Sequence, residues 1–260
     1  MKLGRVHRWA IAAPVALALA VLSGCGTSEP SAAGGPAKEL TVFAAASLTG
    51  TFTELGKTFE AAHPGVTVRF NFGSSATLAQ QIVQGAPADV FAAASPATMK
   101  TVTDASLAAA SPATFVRNKL QIAVPAANPA KVDELKDLSD PAVKVALCAE
   151  QVPCGAAALK ALEAAGVKVT PVTLEQDVKA TLTKVELGEV DAALVYTTDV
   201  IASAGKVTGI AFPEADKAVN DYPIVTLSKA PAAELAGQFV ELVLSQQGRD
   251  VLTKAGFEAP

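Results

Sequence analysis

Apolar residues in this chain follow two spacings that alternate along its length. Leu40 to Ala45 is a short apolar run of strand type. After Ser47 the spacing lengthens, with Leu48, Phe52, Leu55 and Phe59 three or four apart, as on one face of a helix. His63-Pro64-Gly65 stops that helix. Val66 to Phe72 alternates apolar and polar residues, and Gly73-Ser74-Ser75 leads into a second helix carrying Leu78, Ile82 and Val83. Asp89 to Ala93, Leu120 to Val124, Lys144 to Leu147 and Asp191 to Tyr196 read as further strands. Helices are predicted over 155–165, 177–187, 231–244 and 246–255. Strands alternating with helices predict an α/β fold with mixed, mostly parallel sheets and helices on both faces.

The N-terminus follows a different pattern. Met1 to Arg8 is basic, Ala10 to Leu22 is an uncharged run, and Leu22-Ser23-Gly24-Cys25 follows at once. This is the layout of a signal peptide over 1–24, and the apolar run falls short of the roughly 20 residues a spanning helix needs. Leu-Ser-Gly-Cys resembles the bacterial lipobox, which makes Cys25 the expected first mature residue and lipid attachment point. The Ser-, Gly-, Pro- and Ala-rich stretch up to Lys38 reads with Cys25 as a flexible tether over 25–38.

An exported chain changes the reading of its cysteines. With Cys25 assigned to lipid, Cys148 and Cys154 remain, and in an oxidising compartment the two can pair. Free buried thiols are the alternative. A metal site is less favoured, because two thiols lack two further ligands and His63 is the only histidine after the leader.

Charge narrows the partners. Removing the basic leader takes the formal charge from −4 to −7, a poor balance for gripping nucleic acid. The acidic positions Glu214, Asp216 and Asp221 read as a solvated surface, with a permease contact as the other reading.

Candidate chemistry lies at the strand-to-helix junctions. In open α/β sheets ligands bind beyond the carboxyl ends of the strands, where helix N-termini point N–H groups outward. Ser47, Ser74 and Ser75 follow the first two strands, and Tyr196 ends a later one with Thr197 and Thr198 behind it. After the leader the only arginines are Arg69, Arg117 and Arg249, none at such a junction. The chain therefore predicts a neutral cradle of hydroxyls, amides and helix dipoles.

Seven segments carry a specific resemblance. They are TVFAAASLTGTFTELGKTFE (41–60), NFGSSATLAQQI (71–82), GAPADVFAAAS (85–95), VPCG (152–155), EQDVKATLTKVE (175–186), ALVYTTDV (193–200) and DYPIV (221–225). In this order, spanning Glu39 to Phe257, they resemble the extracytoplasmic molybdate-binding proteins of bacterial ABC importers. The resemblance implies a two-lobed clamshell of the type II periplasmic-binding-protein class. One lobe would comprise 39–118 and 221–260 and the other 119–220, with crossings near Asn118–Leu120 and Asn220–Pro223.

It also implies that a tetrahedral oxyanion is held by the hydroxyls and amides of Ser47 and Ser75, the amides of Cys154 and Val178, and the phenol of Tyr196. Relatives commonly carry alanine at position 154. Since the amide is the group used there, cysteine need not remove the bond, and a Cys148–Cys154 disulfide could brace the loop. The implied protein is a monomer and not an enzyme. It binds molybdate or tungstate without a cofactor and without side-chain coordination of a metal, and delivers its cargo to a membrane permease while tethered outside the cell membrane through Cys25.

Two other functions compete. A receptor for sulfate or another tetrahedral oxyanion would use the same fold and donors. A secreted serine hydrolase would use Ser47 or Ser75 as nucleophile, but it lacks a G-x-S-x-G elbow and must recruit His63, beside a helix-stopping Pro-Gly. A ferric clamshell would want paired tyrosines and carboxylates, and the chain has only Tyr196 and Tyr222. Tyr222 reads as packing near the return crossing.

Overall fold

The computed structural model describes Lys38 to Pro260. The leader, Cys25 and the tether up to residue 37 lie outside the described residues. Lys38, expected as the last tether residue, instead opens the first strand, and its N–H donates to the Gly65 carbonyl at 3.0 Å.

The elements form two five-stranded sheets. The first contains β1 (Lys38–Ala45), β2 (Val66–Gly73), β3 (Val90–Ala92), β4 (Ala113–Asn118) and, from far along the chain, β10 (Asn220–Thr226), in the order β2-β1-β3-β10-β4. The second contains β5 (Leu120–Pro125), β6 (Val145–Cys148), β7 (Thr173–Glu175), β8 (Ala192–Tyr196) and β9 (Val207–Ile210), in the order β7-β6-β8-β5-β9. β1 pairs in parallel with β2 and β3, and β6 with β7 and β8, each set linked by helical crossovers. β10 and β5 run antiparallel to both their neighbours. The antiparallel share is thus larger than the β–α alternation predicts. The reason is that β5 and β10 enter their sheets from the other lobe and not through a crossover helix.

The first sheet is buried on both faces, which is why its central strands are nearly continuous apolar runs. On one face Leu40, Val42 and Ala44 of β1 meet Phe52, Phe59 and Phe239 of α1 (Thr49–Ala62) and α7 (Ala233–Leu244), with Leu252 of α8 (Gln246–Lys254). On the other, Phe43 and Phe91 meet Leu78 and Ile82 of α2 (Ser75–Val83) and Met99 of α3 (Pro96–Asp104). Val83, read with the apolar face of α2, is instead 42% exposed. The second sheet packs against α4 (Pro153–Ala165) and α5 (Val178–Glu186), with α6 (Thr197–Ala202) following β8.

The chain passes between sheets at Lys119, between β4 and β5, and returns on entering β10. Asn118 and Asn220 face each other across the β4–β10 register at this junction. Ion pairs flank it: Arg117 with Asp221 at 2.8 Å, and Lys119 with Asp216 at 2.8 Å and Glu258 at 3.1 Å. Asp216 and Asp221 are therefore paired and not merely solvated. At this exposure such pairs contribute little stability. Among the described residues no helix is long and apolar enough to cross a membrane.

Candidate functional site

The carboxyl ends of β1, β2, β6 and β8 point to one place, and the segments that follow them close around it. Ser47 lies in a 3₁₀ turn, Ala46–Leu48, directly after β1. Ser74 and Ser75 follow β2, Ser75 being the first residue of α2. Cys154 is in the first turn of α4 behind Pro153, Val178 opens α5, and Tyr196 ends β8. All six border a single hollow between the two lobes, together with Asp177, Ala94 and Val152. It leaves about 20 Å³ to the centre of a water-sized sphere. Taken as a sphere with a water radius of ~1.4 Å added back, this corresponds to a radius of about 3 Å, room for one compact ion.

Three helices, α2, α4 and α5, begin at this hollow. The amides of Ser75, Cys154 and Val178 are first-turn N–H groups, which have no partner within their helices. Each helix start also carries partial positive charge. The hydroxyls are held from behind. Ser75 Oγ accepts from the Ala94 N–H at 2.9 Å, which leaves the Ser75 proton to point elsewhere. Ser47 Oγ and the Tyr222 hydroxyl share a hydrogen bond of 2.9 Å. The Tyr196 hydroxyl accepts from Asn220 Nδ2 at 3.0 Å, and the same amide donates to the Ala94 carbonyl at 2.6 Å. With its acceptor site occupied, the Tyr196 phenol is left as a donor.

Among the described residues no lysine or arginine lines the hollow. Among those residues the one charged group at its lining is Asp177, whose carboxylate caps α5 by accepting from the Ala180 N–H at 3.0 Å. Behind Tyr196, buried Asp199 accepts from the Tyr196 N–H at 3.2 Å and lies 3.1 Å from Lys179 Nζ. Burial raises the Asp199 carboxyl above its ordinary range, partly offset by Lys179. Burial, then the neighbouring Tyr222, raises the Tyr196 phenol well above its ordinary value. Burial likewise raises Tyr222. Both phenols therefore stay protonated, and Tyr196 keeps its donor, across the neutral range.

Residues 40–258 match the family described as bacterial extracellular solute-binding protein. The chain belongs to that family. It is 43% identical over 249 residues to the molybdate-binding protein ModA of Mycobacterium tuberculosis, covering 94% of this chain and 95% of that one. It is 32% identical over 248 residues to a putative ABC transporter substrate-binding lipoprotein, YvgL, of Bacillus subtilis, covering 93% and 95%. The periplasmic molybdate-binding protein of Azotobacter vinelandii superposes with a TM-score of 0.74 at 24% identity, covering 85% of this chain and 99% of that one, and so shares the fold.

In this solute-binding protein Cys148, the last residue of β6, is joined to Cys154 in α4 by a disulfide, with Cα atoms 5.8 Å apart. The covalent link ties the end of a strand to the first turn of the helix that borders the hollow. Gly155 makes the close approach possible. A Cβ there would stand 1.9 Å from the Ala149 carbonyl oxygen and 2.7 Å from that of Cys148.

The five residues singled out by resemblance, Ser47, Ser75, Cys154, Val178 and Tyr196, are brought together, although they come from both lobes. His63 is not among them. It caps the end of α1, where Nδ1 bonds the Phe59 carbonyl at 2.8 Å and the ring stacks on Phe59 at 4.0 Å. With His63 bound there, Ser47 and Ser75 lack the histidine base that the hydrolase reading requires.

From the sequence Tyr222 has a packing role, and Asn118 and Asn220 mark only the crossing. Tyr222 does pack, edge to face with Phe257 at 5.4 Å and with Tyr196 at 6.1 Å, but its hydroxyl also holds Ser47. The side chain of Asn118 donates to Thr198 Oγ1 at 2.8 Å. A usable signal was period 2 in Asn220-Asp221-Tyr222, which puts both polar groups on one face. Pro223 obscured it, because proline inside a central strand argues against a strand. The register shift between Tyr222 and Pro223 accommodates it.

Proposed function

We propose that this chain binds molybdate and tungstate outside the cell membrane and hands them to the permease of an ABC-type importer. One observation carries the reading. Hydroxyls and helix N-terminal amides from both lobes converge on a hollow sized for a single ion, with no basic side chain at its wall among the described residues.

Such a cradle suits an oxyanion. An anion entering a closed cleft loses hydration, so its oxygens need donors in place of water. Hydrogen bonds to charged groups contribute roughly 1.5–3 kcal/mol each, although their sum is not the affinity. Local dipoles act at contact range, whereas the acidic surface is screened over about 8–10 Å. Ion size then sets selectivity. Molybdate and tungstate are alike and larger than sulfate, so a rigid donor ring fitted to them leaves the smaller ion short of contacts.

In this reading Ser47, Ser75 and Tyr196 donate through their hydroxyls, and Ser47, Ser75, Cys154 and Val178 through their amides. The cargo is held without a resident cofactor and without catalysis. The mature protein acts as a monomer, and its tether is lipid on Cys25, the latter supported by the Leu-Ser-Gly-Cys sequence and by a relative described as a putative lipoprotein.

Calorimetric titration of the leader-free chain carrying Cys25→Ser, with molybdate, tungstate, sulfate and phosphate, tests this. Calorimetry is chosen because the only tryptophan, Trp9, lies in the leader. Tight molybdate and tungstate binding with sulfate orders of magnitude weaker is the expected result. Equal sulfate binding would point to a general oxyanion receptor, and no heat with any ion would remove the cradle itself.

A further inference from the structure

The hollow holds one polar group that neither the resemblance nor the surrounding hydrogen bonds use. Ser74 is 6% exposed and borders the hollow beside Ser75, yet its hydroxyl oxygen has no hydrogen-bond partner among the described residues. Its position makes this unexpected. Ser74 is the N-cap of α2, where a serine oxygen usually accepts from an N–H one turn ahead. Here no such bond forms, although the Ser74 carbonyl does begin the helix by accepting from the Leu78 N–H at 2.9 Å. Other N-caps of this chain behave differently: Ser95 accepts from the Thr98 N–H and Ser245 from the Gly248 N–H.

A buried hydroxyl with neither a cap bond nor a neighbour is costly unless something else occupies it. Ser74 borders a site lined mainly by donors, with Asp177 its one acid among the described residues, at the positive end of a nine-residue helix. We propose that Ser74 is a further ligand-binding residue, donating its hydroxyl proton to the bound oxyanion. This deepens the oxyanion reading and rests on it. The ligand set then reaches eight donors, two for each oxygen of a tetrahedral ion. Adjacent serines divide the work. Ser75 is locked in place by the Ala94 N–H, whereas Ser74, without a protein partner, is free to turn its hydroxyl toward whichever oxygen lies nearest.

The test uses Ser74→Ala and Ser74→Gly in the leader-free chain carrying Cys25→Ser, titrated with molybdate and melted without it. Glycine keeps a good N-cap preference, so the pair separates loss of the hydroxyl from loss of helix initiation. The expected result is a fall in molybdate affinity of roughly 5- to 20-fold in both variants, with ligand-free melting unchanged. A structural role alone would lower the melting temperature and leave affinity unmoved. Parent affinity retained in both variants overturns the role of Ser74 while the oxyanion reading stands. A parent that binds none of the four oxyanions overturns both.

Discussion

The hydroxyls of Ser47 and Tyr222 meet at 2.9 Å, although 175 positions separate them in the chain. Ser47 follows the first strand, and Tyr222 lies in the strand that returns from the other lobe. Tyr222 is wholly buried and packs edge to face against Phe115, Tyr196 and Phe257, so its ring is fixed by the same core that holds the lobe together. Its hydroxyl therefore orients Ser47 from behind, and a proton donated by Tyr222 leaves that of Ser47 available to the hollow. Tyr222→Phe keeps the ring and removes this contact. Stability should fall by about 1 kcal/mol and anion affinity several-fold, read by melting and calorimetry. Unchanged affinity would show that Ser47 needs no such support.

Gly155 allows α4 to start close against the end of β6. Any side chain there meets the Ala149 carbonyl oxygen at 1.9 Å, and backbone cannot step aside as a flexible side chain can. Gly155→Ala should push the first turn of α4 outward and carry the Cys154 amide with it. The expected outcome is at least a tenfold loss of anion affinity with lowered melting. Parent-like binding would mean that the amide of residue 154 is not a ligand donor.

The disulfide braces the same turn. Replacing both Cys148 and Cys154 with serine removes a short closed loop, worth about 2 kcal/mol in the chain-entropy account. It should also release the helix start, so that binding must order what the disulfide now holds in place. Lower melting together with weaker binding is expected. If both stay at parent values, the link has no structural part in the site.

Asp199 ties the acid response of the fold to the neighbourhood of Tyr196. Burial raises its carboxyl above the ordinary value of 3.8, with Lys179 and the Tyr196 N–H opposing that rise. The folded state then binds more protons at this group than the unfolded chain does, in the interval above pH 3.8. Its contribution to stability accordingly falls as pH rises through that interval. Asp199→Asn keeps an acceptor for the Tyr196 N–H but cannot titrate. Chemical unfolding from pH 4 to 6 should show a flatter decline, or a steeper gain, in the variant than in the parent; parallel profiles would remove Asp199 from the acid response.

Much of the secondary structure was legible because apolar spacing is a local signal. The helix carrying Phe52, Leu55 and Phe59 follows from spacing, and the strands ending at Ala45 and Tyr196 from short apolar runs of strand type. The strand pattern does not reveal β4, β7, β9 and β10. β7 and β9 are only three and four residues long, β9 contains Gly209, and β10 contains Pro223, a residue that cannot donate to a ladder. The strand-end hydroxyls Ser47, Ser74, Ser75 and Tyr196 were visible as donors at junctions. The role of Tyr222 and Asn220 behind them was not, because it depends on contacts across the molecule.

The alternating strands and helices, the lack of arginine at the junctions and the family to which the segments point are each written in local order or composition. Long-range contacts set which donors share one hollow, which hydroxyl is held by a neighbour and which, at Ser74, has none among the described residues. They also set the direction of β5 and β10, because that follows from where the chain crosses between sheets. Hydrogen bonds act over about 3 Å, and only folding brings residues distant in the chain within that reach.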